Sequence, residues 1–128
     1  MDAVDETLRI WRQTEFRWGV SDCCLSAADY VQRLTGIDPA PEFRDLYHSE
    51  PGAERAVEGA GGFVALLDSR EALIRARWPD RGDLVAIWTG SEHVVGLCTG
   101  QSAAFRLQRG VKEIDLRFLT VVAVWKVL

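Results

Sequence analysis

The sequence lacks several features that would assign it to a common functional class. No apolar run approaches the roughly 20 residues needed to span a bilayer, so we expect no membrane insertion. Fifteen basic residues stand against nineteen acidic ones, which gives a net charge of −4. Because phosphate binding needs a basic surplus or a basic stripe, this balance disfavours a nucleic-acid partner.

Cysteine and histidine are also scarce. The three cysteines are Cys23, Cys24 and Cys98, and the two histidines are His48 and His93. An odd number of cysteines, two of them adjacent, suits no disulfide framework, and without a CxxC pair a zinc site would need scattered ligands. We therefore expect reduced thiols, no metal and no cofactor. A redox or metal-binding use of Cys23 and Cys24 is a third-ranked alternative.

Length and composition are those of an ordinary globular chain. The 128 residues are 48% hydrophobic and 27% charged, and nothing resembles a linker, so we expect one domain over residues 1–128. The N-terminus, from Met1 to Glu6, is acidic and lacks the basic and apolar regions of a signal peptide. We expect synthesis in the cytoplasm without self-directed export.

Hydrophobic spacing and capping residues predict helices in the first half and strands in the second. The predicted helices cover residues 4–13, 23–34, 51–58 and 63–67, the last fading before Trp78. The predicted strands cover residues 84–88, 93–98, 103–107 and 121–128. This order favours an α+β fold, with N-terminal helices packed on a C-terminal antiparallel sheet, over alternating α/β.

Asp22-Cys23-Cys24 is the sharpest chemical feature. A thiolate at a helix N-terminus is stabilised by the helix dipole and by unpaired backbone N–H groups, which can also hold an oxyanion. The alternative is that both thiols simply pack, since free cysteine is often buried. Helical spacing does not choose between the two thiols. Of the possible bases, His93 heads an apolar strand, whereas His48 lies in a predicted surface loop.

The order of these segments resembles the NlpC/p60 family of cysteine peptidases and amidases, which have a reduced papain fold. The resemblance extends from residue 16 to about residue 100, and its main segments are Phe16-Arg17-Trp18-Gly19, Asp22-Cys23, Gly82-Asp83-Leu84-Val85 and His93-Val94-Val95-Gly96-Leu97. The chain is most similar to small phage and prophage tail-associated members, on account of Thr35-Gly36-Ile37-Asp38-Pro39, Arg44 to Tyr47 and Gly61-Gly62.

The resemblance implies a role for each matching residue. Cys23 would be the nucleophile, His93 the base and Cys24 a packing residue. The backbone N–H of Cys23, with a donor from the preceding bend, would form the oxyanion site. Trp18 and Phe16 would border the substrate, although Phe16 stands where the family often has a tyrosine and cannot donate a hydrogen bond.

Two departures from the family pattern concern the imidazole. Val94 is an extra residue after His93, so His93 would face the site only if a bulge at Val94 or Val95 restored the alternation. The next strand contains no His, Asn or Asp, which leaves Gln108 or Gln101 to orient the ring.

Two functions follow from the resemblance. The first is a thiol hydrolase that cleaves an amide of peptidoglycan stem peptides and reaches the cell wall on a phage tail or similar particle. The second is a structural component of a tail tip or hub whose catalytic site has decayed. Both imply tail tip or hub proteins as partners.

Overall fold

The computed structural model describes all 128 residues as helices followed by a sheet. The helices are α1 Ala3–Gln13, α2 Cys23–Thr35, α3 Glu50–Gly59 and α4 Phe63–Asp68. The strands are β1 Leu73–Ala76, β2 Leu84–Trp88, β3 His93–Cys98, β4 Ser102–Leu107, β5 Gly110–Asp115 and β6 Thr120–Val127. Two short 3-10 helices cover Pro41–Phe43 and Leu116–Phe118. The predicted α+β class is confirmed.

The six strands form one antiparallel sheet in the order β1-β6-β2-β3-β4-β5. The four predicted strands are present, but β1 and β5 were missed, and both lie at the edges of the sheet. The fourth helix ends at Asp68, before Trp78 as predicted, and the chain then enters β1. Edge strands face solvent more than central ones, so neither carries the continuous apolar run from which the central strands were predicted.

Both faces of the sheet are covered. One face packs on α1 and α2 in a cluster that includes Leu8, Val31, Leu97 and Trp125. Val85, Phe105 and Val124 belong to a second cluster, formed by the alternate residues of the same strands. Of the two thiols at the start of α2, Cys24 packs against the first cluster and Cys23 packs against the second. None of the helices has the length and apolar character needed to cross a membrane.

The bend before α2 is held by close backbone contact. Gly19 has φ +82°, and its carbonyl accepts a hydrogen bond from the Asp45 backbone N–H at 2.9 Å. A Cβ at Gly19 would lie 2.1 Å from the carbonyl oxygen of Tyr47. Gly36, which ends α2, has φ +78° but nothing within 4 Å of such a Cβ. The two glycines thus share a left-handed conformation and differ in crowding.

Gly19→Ala and Gly36→Ala separate conformational strain from steric exclusion. We expect Gly36→Ala to lower the free energy of unfolding by about 1 kcal/mol, the cost of a left-handed alanine. Gly19→Ala adds the clash with the Tyr47 carbonyl, so we expect a loss of about 3 kcal/mol or more. Urea denaturation of both variants measures this difference. Equal losses in the free energy of unfolding would show that the clash of a Cβ with the Tyr47 carbonyl does not destabilise the bend.

Candidate functional site

Asp22 organises the start of α2. Its side chain is 1% exposed, and one carboxylate oxygen accepts the Leu25 backbone N–H at 2.9 Å, as an N-cap does. The other oxygen accepts the Gly19 backbone N–H at 2.9 Å and the Tyr47 hydroxyl at 2.8 Å. A buried carboxylate with three donors ties the bend, the helix and the Tyr47 segment together.

Tyr47 is a site residue whose role the sequence analysis did not assign. Burial, followed by the negative charge of Asp22, raises the pKa of the Tyr47 phenol. The hydroxyl therefore keeps its proton and serves as a permanent donor to Asp22 rather than as an acid or base. The sequence motif from Arg44 to Tyr47 includes this tyrosine, but only the fold brings its hydroxyl to Asp22.

The two adjacent thiols lie at the first turn of α2, and both are half-buried. Their sulfur atoms are 3.9 Å apart. A hydrogen bond to Cys23, followed by burial, raises the pKa of Cys24 well above its ordinary value, and the nearby charges of Asp22 and Glu92 act in the same direction. Cys24 therefore stays protonated at neutral pH, which leaves Cys23 as the candidate nucleophile.

His93 lies on the face of the sheet that packs against the helices. Residues alternate along β3, and His93 shares its side with Val95 and Leu97, which belong to the cluster under α2. The pairing of β2 with β3 is continuous from Leu84–Leu97 to Trp88–His93. The pairing therefore has no bulge at Val94 or Val95. Cys24 packs on the same side of the sheet as Val95 and Leu97, whereas Cys23 packs on the cluster that contains Val94. The shift in this region falls instead between β2 and β6.

The imidazole of His93 is held by aromatic rings rather than by hydrogen bonds. The ring stacks on Phe63, with 6.2 Å between centroids, and meets Trp88 edge-on at 4.9 Å. Its side chain is exposed and makes no hydrogen bond to Cys23 or to any third polar group. The ring is thus positioned by packing, and its two nitrogens are available.

A cleft of about 580 Å³ brings most of the expected residues together. Cys23, Cys24, His93 and Trp18 all line it. Phe16 does not line the cleft and instead packs edge-on behind Trp18 at 4.9 Å. Both thiols and the imidazole therefore line the same cleft.

The other polar candidates lie outside this cleft. Gln108 follows β4 at the end of the sheet where His93 lies, but its side chain is exposed and does not line the cleft. Gln101 lies beyond the opposite end of β3 and is also exposed. His48 is exposed on the loop before α3, as expected for a solvated histidine. Neither glutamine orients His93 in this structure.

One wall of the cleft is acidic. Oxygen atoms of Glu50, Glu54 and Glu92 lie within 4.8 Å of one another, and all three residues are exposed. Burial, followed by the charges of Glu50 and Glu54, raises the pKa of Glu92. No sequence motif marks this group, because Glu92 comes from the turn before β3 and the other two from α3. The wall favours a ligand that carries positive charge.

Arg106 is a second feature without a sequence signal. Its side chain lies on β4 and is 5% exposed, and no carboxylate pairs with it. Its Nε has no hydrogen-bond partner, while the guanidinium lies 5.8 Å from the centre of the Phe16 ring. Burial lowers the pKa of Arg106. Arginine has no acceptor, so Arg106 cannot replace the missing group that orients an imidazole.

Comparison with known proteins gives one match. The family model described as a domain of unknown function, DUF6950, matches residues 1–127. No curated protein and no solved structure matches the chain. The family match covers every residue of the site described above.

The raised pKa of Cys24 makes a pH-dependent prediction. At pH 8.5 in the wild type, Cys24 is mostly protonated and alkylates slowly. Cys23→Ala removes the hydrogen bond and the charge that raise this pKa, so the pH midpoint for Cys24 alkylation falls and the rate at pH 8.5 rises, about tenfold for each pKa unit. Mass spectrometry of the alkylated peptide measures the rate from pH 7 to pH 11.

Cys98 is the internal reference, because it lies at the opposite end of β3 from His93, its thiol donates to the Gly100 carbonyl, and its rate should not change. Better access to Cys24 alone would raise the maximum rate and leave the midpoint in place. An unchanged midpoint would contradict the interaction between the thiols.

Proposed function

The chain belongs to the DUF6950 family, and we propose that this member is a cysteine hydrolase with a reduced papain-like fold related to NlpC/p60 proteins. The observation that carries the proposal is the common cleft of Cys23 and His93 at the N-terminus of α2. The helix dipole and the unpaired N–H groups of the first turn favour a thiolate there. The substrate class is the amide bond of cell-wall peptides.

The mechanism follows from the positions of these groups. The Cys23 sulfur attacks the amide carbonyl carbon while His93 takes the thiol proton. The negative charge that develops on the carbonyl oxygen is held by N–H groups at the first turn of α2. The carbon–nitrogen bond then breaks, the amine leaves with the proton from His93, and a thioester forms on Cys23. A water molecule deprotonated by His93 hydrolyses this thioester and releases the acid.

The walls of the cleft suit a peptide with a free amino group. Glu50, Glu54, Glu58 and Glu92 line the cleft, and the only basic side chain that lines it is His93. An ammonium group would be attracted to this wall, whereas an anionic peptide would be repelled. Trp18 and Trp88 also line the cleft and offer flat apolar surfaces for the peptide backbone.

The route to the substrate is a further part of the proposal. The resemblance to tail-associated proteins supports delivery on a phage tail or a similar particle, with tail tip or hub proteins as docking partners. The second candidate is a structural component of that particle without catalysis. It is favoured by one observation, namely that His93 is held by Phe63 and Trp88 with no hydrogen bond to a thiol or an orienting group.

Alkylation at low pH separates these two functions. At about pH 6 an ordinary thiol is almost entirely protonated and reacts slowly with iodoacetamide. The hydrolase proposal predicts rapid labelling of Cys23 alone, and a reduction of at least tenfold in His93→Ala. Fragment-ion mass spectrometry assigns the label to Cys23 or Cys24.

The control is His48→Ala, because His48 is the only other histidine and is exposed outside the cleft. We expect wild-type labelling in this variant. Equal, slow labelling of all three thiols would instead favour the structural component.

A further inference from the structure

A second, smaller cavity adjoins the cleft. Its volume is about 60 Å³, and fifteen of its seventeen lining residues are hydrophobic. It lies between α2, the sheet and the α3–α4 segment. Cys24, Tyr47, Val57 and Phe63 line both the cleft and this cavity. A group that enters the cavity from the cleft would therefore pass beside Cys24.

The cavity walls present almost no polar group that could form a hydrogen bond with water. Leu25, Ala28 and Val31 of α2 form one side, and Leu84 and Val95 of the sheet form another. The polar side chains at its boundary have partners elsewhere. The Tyr47 hydroxyl donates to Asp22, the Arg70 guanidinium pairs with Glu42, and the Cys24 thiol contacts the Cys23 sulfur. A cavity without polar partners stays dry and accepts apolar atoms.

The cover of the cavity is the least tightly packed part of the helical layer. No residue of α3 is buried, and Phe63 is the only buried residue of α4. Gly61 and Gly62, with φ +93° and +99°, join the two helices. Segments with few buried contacts open locally at low cost, so this cover can admit a side chain from the cleft.

We infer that the cavity is a specificity pocket for an aliphatic side chain of the peptide bound in the cleft. Its volume corresponds to about four water-sized spaces. With about one carbon atom in each space, the cavity has room for an isobutyl group. The inference deepens the proposed hydrolase function and rests on it for the peptide nature of the ligand. The binding selectivity itself does not require a reaction.

N-acetyl-leucinamide and N-acetyl-asparaginamide test this pocket, because their side chains have nearly the same shape and differ in polarity. Methyl NMR of the 128-residue chain follows Leu84 and Val95 during titration with each compound. We expect saturable shifts with the leucine compound and at least tenfold weaker binding of the asparagine compound, because only an isobutyl group gains from leaving water.

A substitution that fills the cavity tests the pocket, and the same substitution outside the cavity is its control. Ala28→Leu places an isobutyl group in the cavity and should reduce binding of N-acetyl-leucinamide at least tenfold. Ala65→Leu is the matched control, since Ala65 is exposed on α4 and lines neither the cleft nor the cavity, and should keep the preference for leucine. If Ala28→Leu does not fold, Ala40→Leu fills the same cavity from the half-buried loop before Pro41–Phe43.

The same titration on Cys23→Ser separates this inference from the hydrolase proposal. A preference for leucine in Cys23→Ser, with slow alkylation of wild-type Cys23, would support the pocket and overturn the hydrolase. Rapid alkylation of Cys23 without any preference for leucine would overturn the pocket alone. Equal binding of the two compounds, absence of saturable shifts, or an undiminished preference in the folded cavity-filling variant would also overturn it.

Discussion

The buried carboxylate of Asp22 is the constraint on which the rest of the site depends. A charge in this position is tolerated only because the backbone of Leu25 and Gly19 and the hydroxyl of Tyr47 all donate to it. Those three donors come from the helix, the bend and the following loop. One side chain therefore sets where α2 begins, and with it the position of the thiol next to it.

Capping residues in the sequence predicted where α2 begins and ends, because helix caps depend on neighbouring residues only. Asp22 and Gly36 mark both ends of α2 in the sequence, and the structure places its caps at these residues. The two missed strands, β1 and β5, owe their conformation to pairing at the sheet edges rather than to an apolar face of their own. The bulge considered at Val94 or Val95 is absent, because β2 and β3 pair without a shift from Leu84–Leu97 to Trp88–His93.

The sequence predicted the thiols and the imidazole of the candidate site but not the residues that surround them. Cys23, Trp18 and His93 line the cleft as expected, but Gln108 and Phe16 do not. The acidic wall, the unpaired Arg106 and the role of Tyr47 come from residues that are distant in sequence and carry no common motif. Contacts of this kind follow from how α3 and the sheet pack, and so no spacing rule could have found them.

The cleft combines a helix start that favours a thiolate with an acidic wall that opposes one. Because these two effects on the Cys23 thiolate oppose each other, its reactivity has to be measured directly. An acyl group that forms on Cys23 is the most direct evidence of the proposed function. Intact-mass and fragment-ion spectrometry of acid-quenched mixtures with p-nitrophenyl acetate would detect it. The account predicts an acetyl group on Cys23 that forms and then disappears, and that forms more slowly in His93→Ala. Acetylation of Cys24 or Cys98 instead, or an equal rate in His93→Ala, would contradict it.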